Sequence, residues 1–228
     1  MEDYCVWVNG GSLLLIAPDV LPDQRQAVLD SVLYAQLVAN KFAGSRFSNY
    51  QTWYERYRNT LTERDWIFTK FHHESKSASD CSLLSVIQPL QLWLETRHTG
   101  ASAIIDQGIA ALTRDAQGLE CFGGFTFEAR DTGAVLIMEI GLVHPGPVID
   151  LCSISITLVQ APEVAGIEQS LAGEVLCNEV VINGGAAVLD GKMFEGSRAD
   201  LRSLMARKQQ EHNYVMALDS QPEGDNHE

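Results

Sequence analysis

Basic residues are scarce in this chain: 16 Lys and Arg stand against 30 Asp and Glu, a formal net charge of −14. Phosphate backbones need a basic face, so nucleic acid is excluded as a partner. Purely electrostatic docking on an anionic membrane is disfavoured as well. The five cysteines, Cys5, Cys81, Cys121, Cys152 and Cys177, are an odd number with no CxxC pair. That spacing fits neither a disulfide framework nor a zinc ribbon, and free thiols in a reducing cytosol are the plain expectation. No long hydrophobic run occurs. The stretch Leu13 to Ala17 is too short for a membrane span or a signal core, and MEDYC is acidic where a secretory leader is basic. These features predict a cytoplasmic protein, with export by a route that removes no signal left open.

Catalytic signatures are missing too. No HExxH, GxSxG, GxGxxG or GK[ST] is present, and acidic residues are spread singly, so no acid/base pair stands out. His72-His73-Glu74 is the nearest approach to a metal set, but neighbours on a strand point to opposite faces, and His98 or His144 would have to join one of them. No metal and no cofactor is expected. Cys81 falls in the first turn of an expected helix, where a thiol can be activated, although Asp80 opposes this. Cys121-Phe122-Gly123-Gly124-Phe125 reads as a strand with paired glycines, a place where a bulge could shape a pocket.

The richest information lies between Pro22 and Trp66. Pro22 suits a first helical position and Asp23 the positive end of a helix dipole. Val28, Val32, Ala35, Ala39 and Phe42 share one stripe, widened by Leu29, Leu33 and Leu37, and Gly44 ends the helix. Ser48 with Gln51 looks like a capping box opening a second helix, on which Trp53, Tyr57 and Leu61 recur every fourth residue beside Tyr54. Trp53, Tyr54, Tyr57 and Trp66 are the candidate ligand-binding residues, as an aromatic platform for a sugar, headgroup or base. A buried helix–helix seam explains the same spacing.

The run LDSVLYAQLVANKF, then WYERYRNTL, then a Trp five residues on, resembles a family of small uncharacterised bacterial and fungal proteins. SRADLRSLMARKQQEHNYVMALD is similar to that family's closing helix and strand, while Arg64-Asp65 departs from its pattern before Trp66. The resemblance implies one compact fold and supplies no activity, cofactor or site residue.

Along the chain, two short strands flank Asn9-Gly10, and 66–72 forms a strand running into a polar loop at Ser75 to Asp80. Ser79 or Asp80 caps a helix through Leu83 and Leu94, interrupted at Pro89, and another helix follows Gly100. Strands then cover Leu119–Arg130 and Ala134–Val143. Ser153 to Leu158 alternates strictly, and Glu174–Ile182 and Ala186–Leu189 form a hairpin around Asn183-Gly184-Gly185. Ser197 caps a last helix, with a strand at Asn213–Leu218.

The predicted class is α+β: a helical N-terminal half packed on one face of a mainly antiparallel sheet or sandwich from the C-terminal half, with a closing helix. Residues 1–218 would form a single domain and 219–228 a disordered acidic tail. The leading functional reading is a non-catalytic soluble protein acting through self-association or a protein partner. The alternatives are a membrane-active, toxin-like protein that stays soluble until triggered, motivated by the Ser/Thr-alternating strand, and a small hydrolase or transferase with an unrecognised site. A membrane is a partner only under the first alternative.

Overall fold

A computed structural model describes residues 4–77, 83–159 and 166–218. The chain opens with an antiparallel hairpin, β1 (Cys5–Asn9) and β2 (Ser12–Ile16), turned by Gly10 at φ +57°. Helix α1 (Pro22–Ala43) starts on its proline, and Gly44, at φ +77°, ends it by donating its N–H to Asn40 O. Helix α2 (Tyr50–Thr62) is capped by Asn49, whose Oδ1 accepts from Thr52 N at 3.2 Å, and not by the Ser48–Gln51 box. Either residue can cap; Asn49, at φ −152° and ψ 79°, has the non-helical backbone an N-cap needs. Strand β3 (Trp66–Lys76) follows and runs past Ser75, where a loop is expected from sequence.

Three further segments differ from their sequence reading. Leu83–Ser85 is a short strand, β4, and helix α3 (Gln88–Glu95) begins with Pro89 in its first turn. The proline thus starts a helix where its missing N–H is harmless, instead of breaking one. The expected cap at Ser79 or Asp80 and Cys81 lie outside the described residues, as does the tail 219–228. Helix α4 (Ala101–Arg114) leads to α5 (Ala116–Thr126), which occupies most of the expected strand Leu119–Arg130. Asp115 caps α5 by accepting from Gly118 N at 2.8 Å, and Gly118, Phe122 and Thr126 fall on its buried side. Gly118 packs closely: a Cβ there would stand 2.4 Å from Leu218 Cδ2, so that side chain would have to shift. Cys121 to Phe125 are therefore helical, and their backbone N–H groups belong to the helix, not to a bulge.

The remaining elements are β5 (Phe127–Ala129), β6 (Ala134–His144), β7 (Val148–Leu158), α6 (Gly166–Ala172), β8 (Glu174–Leu189), α7 (Gly191–Glu211) and β9 (Val215–Leu218). β8 is continuous through Asn183-Gly184-Gly185. The glycine pair admits neighbours and makes no turn: added Cβ atoms would lie 2.6 Å from the Trp93 ring on one side and 2.8 Å from the Phe68 ring on the other. α7 is capped by Asp190, which accepts from Lys192 N and Met193 N, seven residues before Ser197.

The strands form one mixed sheet, in the order β3-β8-β7-β6-β2-β1-β9, with β2 and β6 parallel and the other pairings antiparallel. The fold is α+β, with helices on both faces of the sheet. Side-chain parity assigns the layers: Asn9 and Ser12 meet α1, while Leu15, on the opposite face, meets Gly108 of α4, and Gly184 meets Trp93 of α3. The central strand β6 is buried along ten of its eleven residues, as a strand covered on both faces must be.

Candidate functional site

A sheet buried on both faces has little use for polar side chains, because each costs free energy unless hydrogen-bonded. This sheet nevertheless carries a row of them. The registers Asn9↔Ser12, Ser12↔Glu139, Glu139↔Ser153, Ser153↔Asn183 and Asn183↔His73 place one polar residue on each of six successive strands, in a line across the face that meets α1 and α2. Asn9, Ser12, Glu139, Ser153 and Asn183 are all buried, and His73 alone of the row is exposed.

The helices satisfy the row. From α1, Gln36 accepts from Gly11 N at 3.0 Å and donates through Nε2 to Asn9 O at 2.9 Å and Ser12 Oγ at 3.0 Å. Ser12 Oγ donates to Glu139 Oε1 at 2.7 Å, and the Tyr57 hydroxyl of α2 donates to the same oxygen at 2.8 Å. Arg46, in the connection between the helices, donates to Gln36 Oε1 at 2.7 Å and is buried. At the other end, the Tyr50 hydroxyl donates to Ser153 Oγ at 2.9 Å and accepts from Asn183 Nδ2 at 3.2 Å, and Asn183 Oδ1 meets His73 Nδ1 at 2.8 Å.

Burial dominates the electrostatics. It raises the Glu139 carboxyl above its usual range, against the hydrogen bonds from Ser12 and Tyr57 and the charge of Arg46, which pull it down. It lowers Arg46 to about 10, with Glu139 the largest opposing influence. It raises the phenols of Tyr50, Tyr54 and Tyr57, so these hydroxyls remain donors, and it raises Cys152 into an inert thiol. The arrangement holds α1 and α2 on the sheet by polar contacts. Although Ser12 contacts a carboxylate, both groups are sealed from solvent, so the pair offers no route to a substrate.

Of the four aromatic candidates, Trp53, Tyr54 and Tyr57 lie together over this row. Trp53 stacks on Tyr57 with centroids 5.3 Å apart, its Nε1 donates to Asn40 Oδ1 of α1 at 2.7 Å, and the Arg46 guanidinium stands 4.2 Å from its ring. Tyr54 sits between Tyr50 and Tyr57. Trp66 is elsewhere in the core, at the start of β3, and its Nε1 has no hydrogen-bond partner among the described residues. All four are buried. Phe42, expected on the buried stripe of α1, is 70% exposed under Arg56.

The other candidates are dispersed. His73 joins the row, while His72, on the opposite face, stacks on Trp93. His98 packs against His144 with centroids 4.7 Å apart. Among the described residues no three His, Cys, Asp or Glu side chains converge as a metal site. Cys5, Cys121 and Cys152 are free thiols. Sequence reasoning missed Gln36, Arg46, Tyr50, Glu139 and Asn183. The available signals were a lone carboxylate in the apolar run of β6 and the Ser/Thr alternation of β7.

No protein-family model matches the chain, and no curated protein matches it. Solved structures similar to it include the activated Cyt2Ba monomer from Bacillus thuringiensis subsp. israelensis, with a TM-score of 0.48 at 9% identity over 79% of this chain and 98% of that one. A delta-endotoxin gives 0.45 at 8% identity, over 79% of this chain and 81% of that one. The Evf virulence factor gives 0.43 at 12% identity, over 89% and 84%. No residue or role is carried from them to this chain.

Proposed function

We propose that this chain is a non-catalytic, membrane-active protein, toxin-like in being held in a closed form until its helical layers move off the sheet. One observation carries the reading. β6, β7 and β8 form an antiparallel meander whose two faces differ in chemistry, with polar side chains buried along the middle of one of them. Toward α3 and α4 it presents Met138, Ile140, Ile154, Ile156, Val180 and Ile182. The opposite face interleaves Glu139, Ser153, Ser155, Thr157, Glu179 and Asn183 with the apolar Val135, Ile137, Ile149, Leu151 and Val181.

Alternation of this kind in an ordinary half-exposed strand sends the polar side to water. Here Glu139, Ser153 and Asn183 are 5%, 3% and 4% exposed, so water does not account for them. Alternating apolar and polar faces are what a strand needs between lipid and an aqueous lumen. The strands have 11, 11 and 16 residues, against the roughly 9–11 that cross a bilayer when tilted. Water in a lumen would replace the hydrogen bonds that Tyr50 and Tyr57 now make with Ser153, Asn183 and Glu139. No helix among the described residues is long and apolar enough to span a membrane, which leaves the strands as the candidate spanning elements.

The test is dye release from loaded vesicles, zwitterionic and anionic, between about pH 5 and 9. Release by the intact chain is the expected outcome. Complete retention with every lipid and at every pH would contradict the reading. Self-association is favoured separately by an open sheet edge.

A further inference from the structure

β3 ends the sheet: it pairs with β8 on one side and with no strand among the described residues on the other. An eleven-residue edge leaves a row of unpaired N–H and C=O groups, which natural proteins blunt with lysines, bulges or a covering element. β3 carries a bulge between Phe68 and Lys70, then runs regularly from Lys70 to Lys76. In that regular stretch Lys70, His72 and Glu74 share one face, opposite Ala186, Gly184 and Ile182. A guarded edge would repel its own copy. This one is self-complementary, because an antiparallel pair centred on His72 sets Lys70 of each strand opposite Glu74 of the other, twice by symmetry.

Two further observations point to a second copy of this chain as the occupant. Residues 41–76 hold seven Lys or Arg against four Asp or Glu, a net positive stretch in a chain of −14, which lessens the repulsion between two copies that meet through it. Apolar side chains also stand exposed along the edge: Phe71 is 61% exposed, Ile67 56%, and Met193 of α7, across the same cleft, 66%. Glu74 already has Lys76 at 2.9 Å and His72 Nε2 at 3.8 Å, but its side chain is 40% exposed, which leaves the carboxylate open to a further cation.

We propose that two copies of this chain join edge to edge, β3 against β3 about His72, in an isologous dimer held by strand pairing and by the two Lys70–Glu74 pairs. This does not depend on membrane activity.

Sedimentation equilibrium of the full chain, from about 1 to 200 µM, reads the association. The wild type is expected to show a monomer–dimer equilibrium. Lys70→Glu and Glu74→Lys each place like charges opposite one another twice and should weaken the dimer by about tenfold or more. The double variant K70E/E74K should return to within about threefold of wild type. All three variants should keep the wild-type far-ultraviolet spectrum, since both positions are on the surface. A wild type that stays monomeric throughout, single variants that associate as well as wild type, or a double variant that fails to recover would each overturn the proposal.

Discussion

Glu139 and Asp30 are carboxyls whose burial shows in their acidity. The Tyr57 hydroxyl is one of two donors to Glu139 Oε1, so Tyr57→Phe withdraws a hydrogen bond from a buried acid without opening a cavity. A loss of about 1.5–3 kcal/mol is expected by urea denaturation at neutral pH. Asp30, on the buried side of α1, is raised to about 6 by burial, against the Gln26 hydrogen bond and Arg202. The folded state holds this proton more tightly than the unfolded chain, so the stability it contributes is complete below about pH 4 and is lost as pH rises through about 6. Asp30→Asn keeps the side-chain oxygen that accepts from Gln26. It should flatten this part of the profile and gain about 1–2 kcal/mol at pH 7.5, as thermal melts across pH would read. A variant less stable than wild type at pH 7.5 would show that the charge is needed.

Within the α1–α2 hairpin, Trp53 ties one helix to the other by its Asn40 hydrogen bond and its packing under Arg46. Trp53→Ala should cost about 3–5 kcal/mol, seen as a midpoint shift in chemical denaturation. An unchanged midpoint would return Trp53, Tyr54 and Tyr57 to the role of an exposed binding platform. At this scale the elements were legible where local chemistry decides them: Pro22 and Gly44 bound α1, and Gly10 turns the first hairpin. They were illegible where distant packing decides them. The glycines at 184 and 185 look like a turn until Trp93 and Phe68 are seen against them, and Gly118 looks like a loop until Leu218 is. The polar row belongs to the second kind. Its members stand up to 127 residues apart in a single hydrogen bond, Ser12 to Glu139, and no periodicity within one strand displays that. Tyr57 was visible as part of the aromatic cluster. Its hydrogen-bond partner was not, because choosing it requires the register of β6 in the sheet.

For the whole molecule, both helical layers cover a meander whose strands are long enough to cross a bilayer, and the α1–α2 layer is attached by an apolar stripe and by hydrogen bonds that water can replace. The central claim is that the row of Glu139, Ser153, Asn183 and their neighbours faces an aqueous lumen once those helices leave. Glu179 and Thr157 continue this face to the end of the meander, and Glu179 is exposed in the closed fold, so changing it leaves the core untouched. Single-channel recording in planar bilayers reads the claim directly. Wild type should form conducting steps that favour cations, given the carboxylates on this face, and Glu179→Lys should reduce or reverse that preference while the melting curve stays within about 0.5 kcal/mol of wild type. Channels whose selectivity is the same with Glu179 and with Lys at that position, or no conducting steps at all, would contradict it.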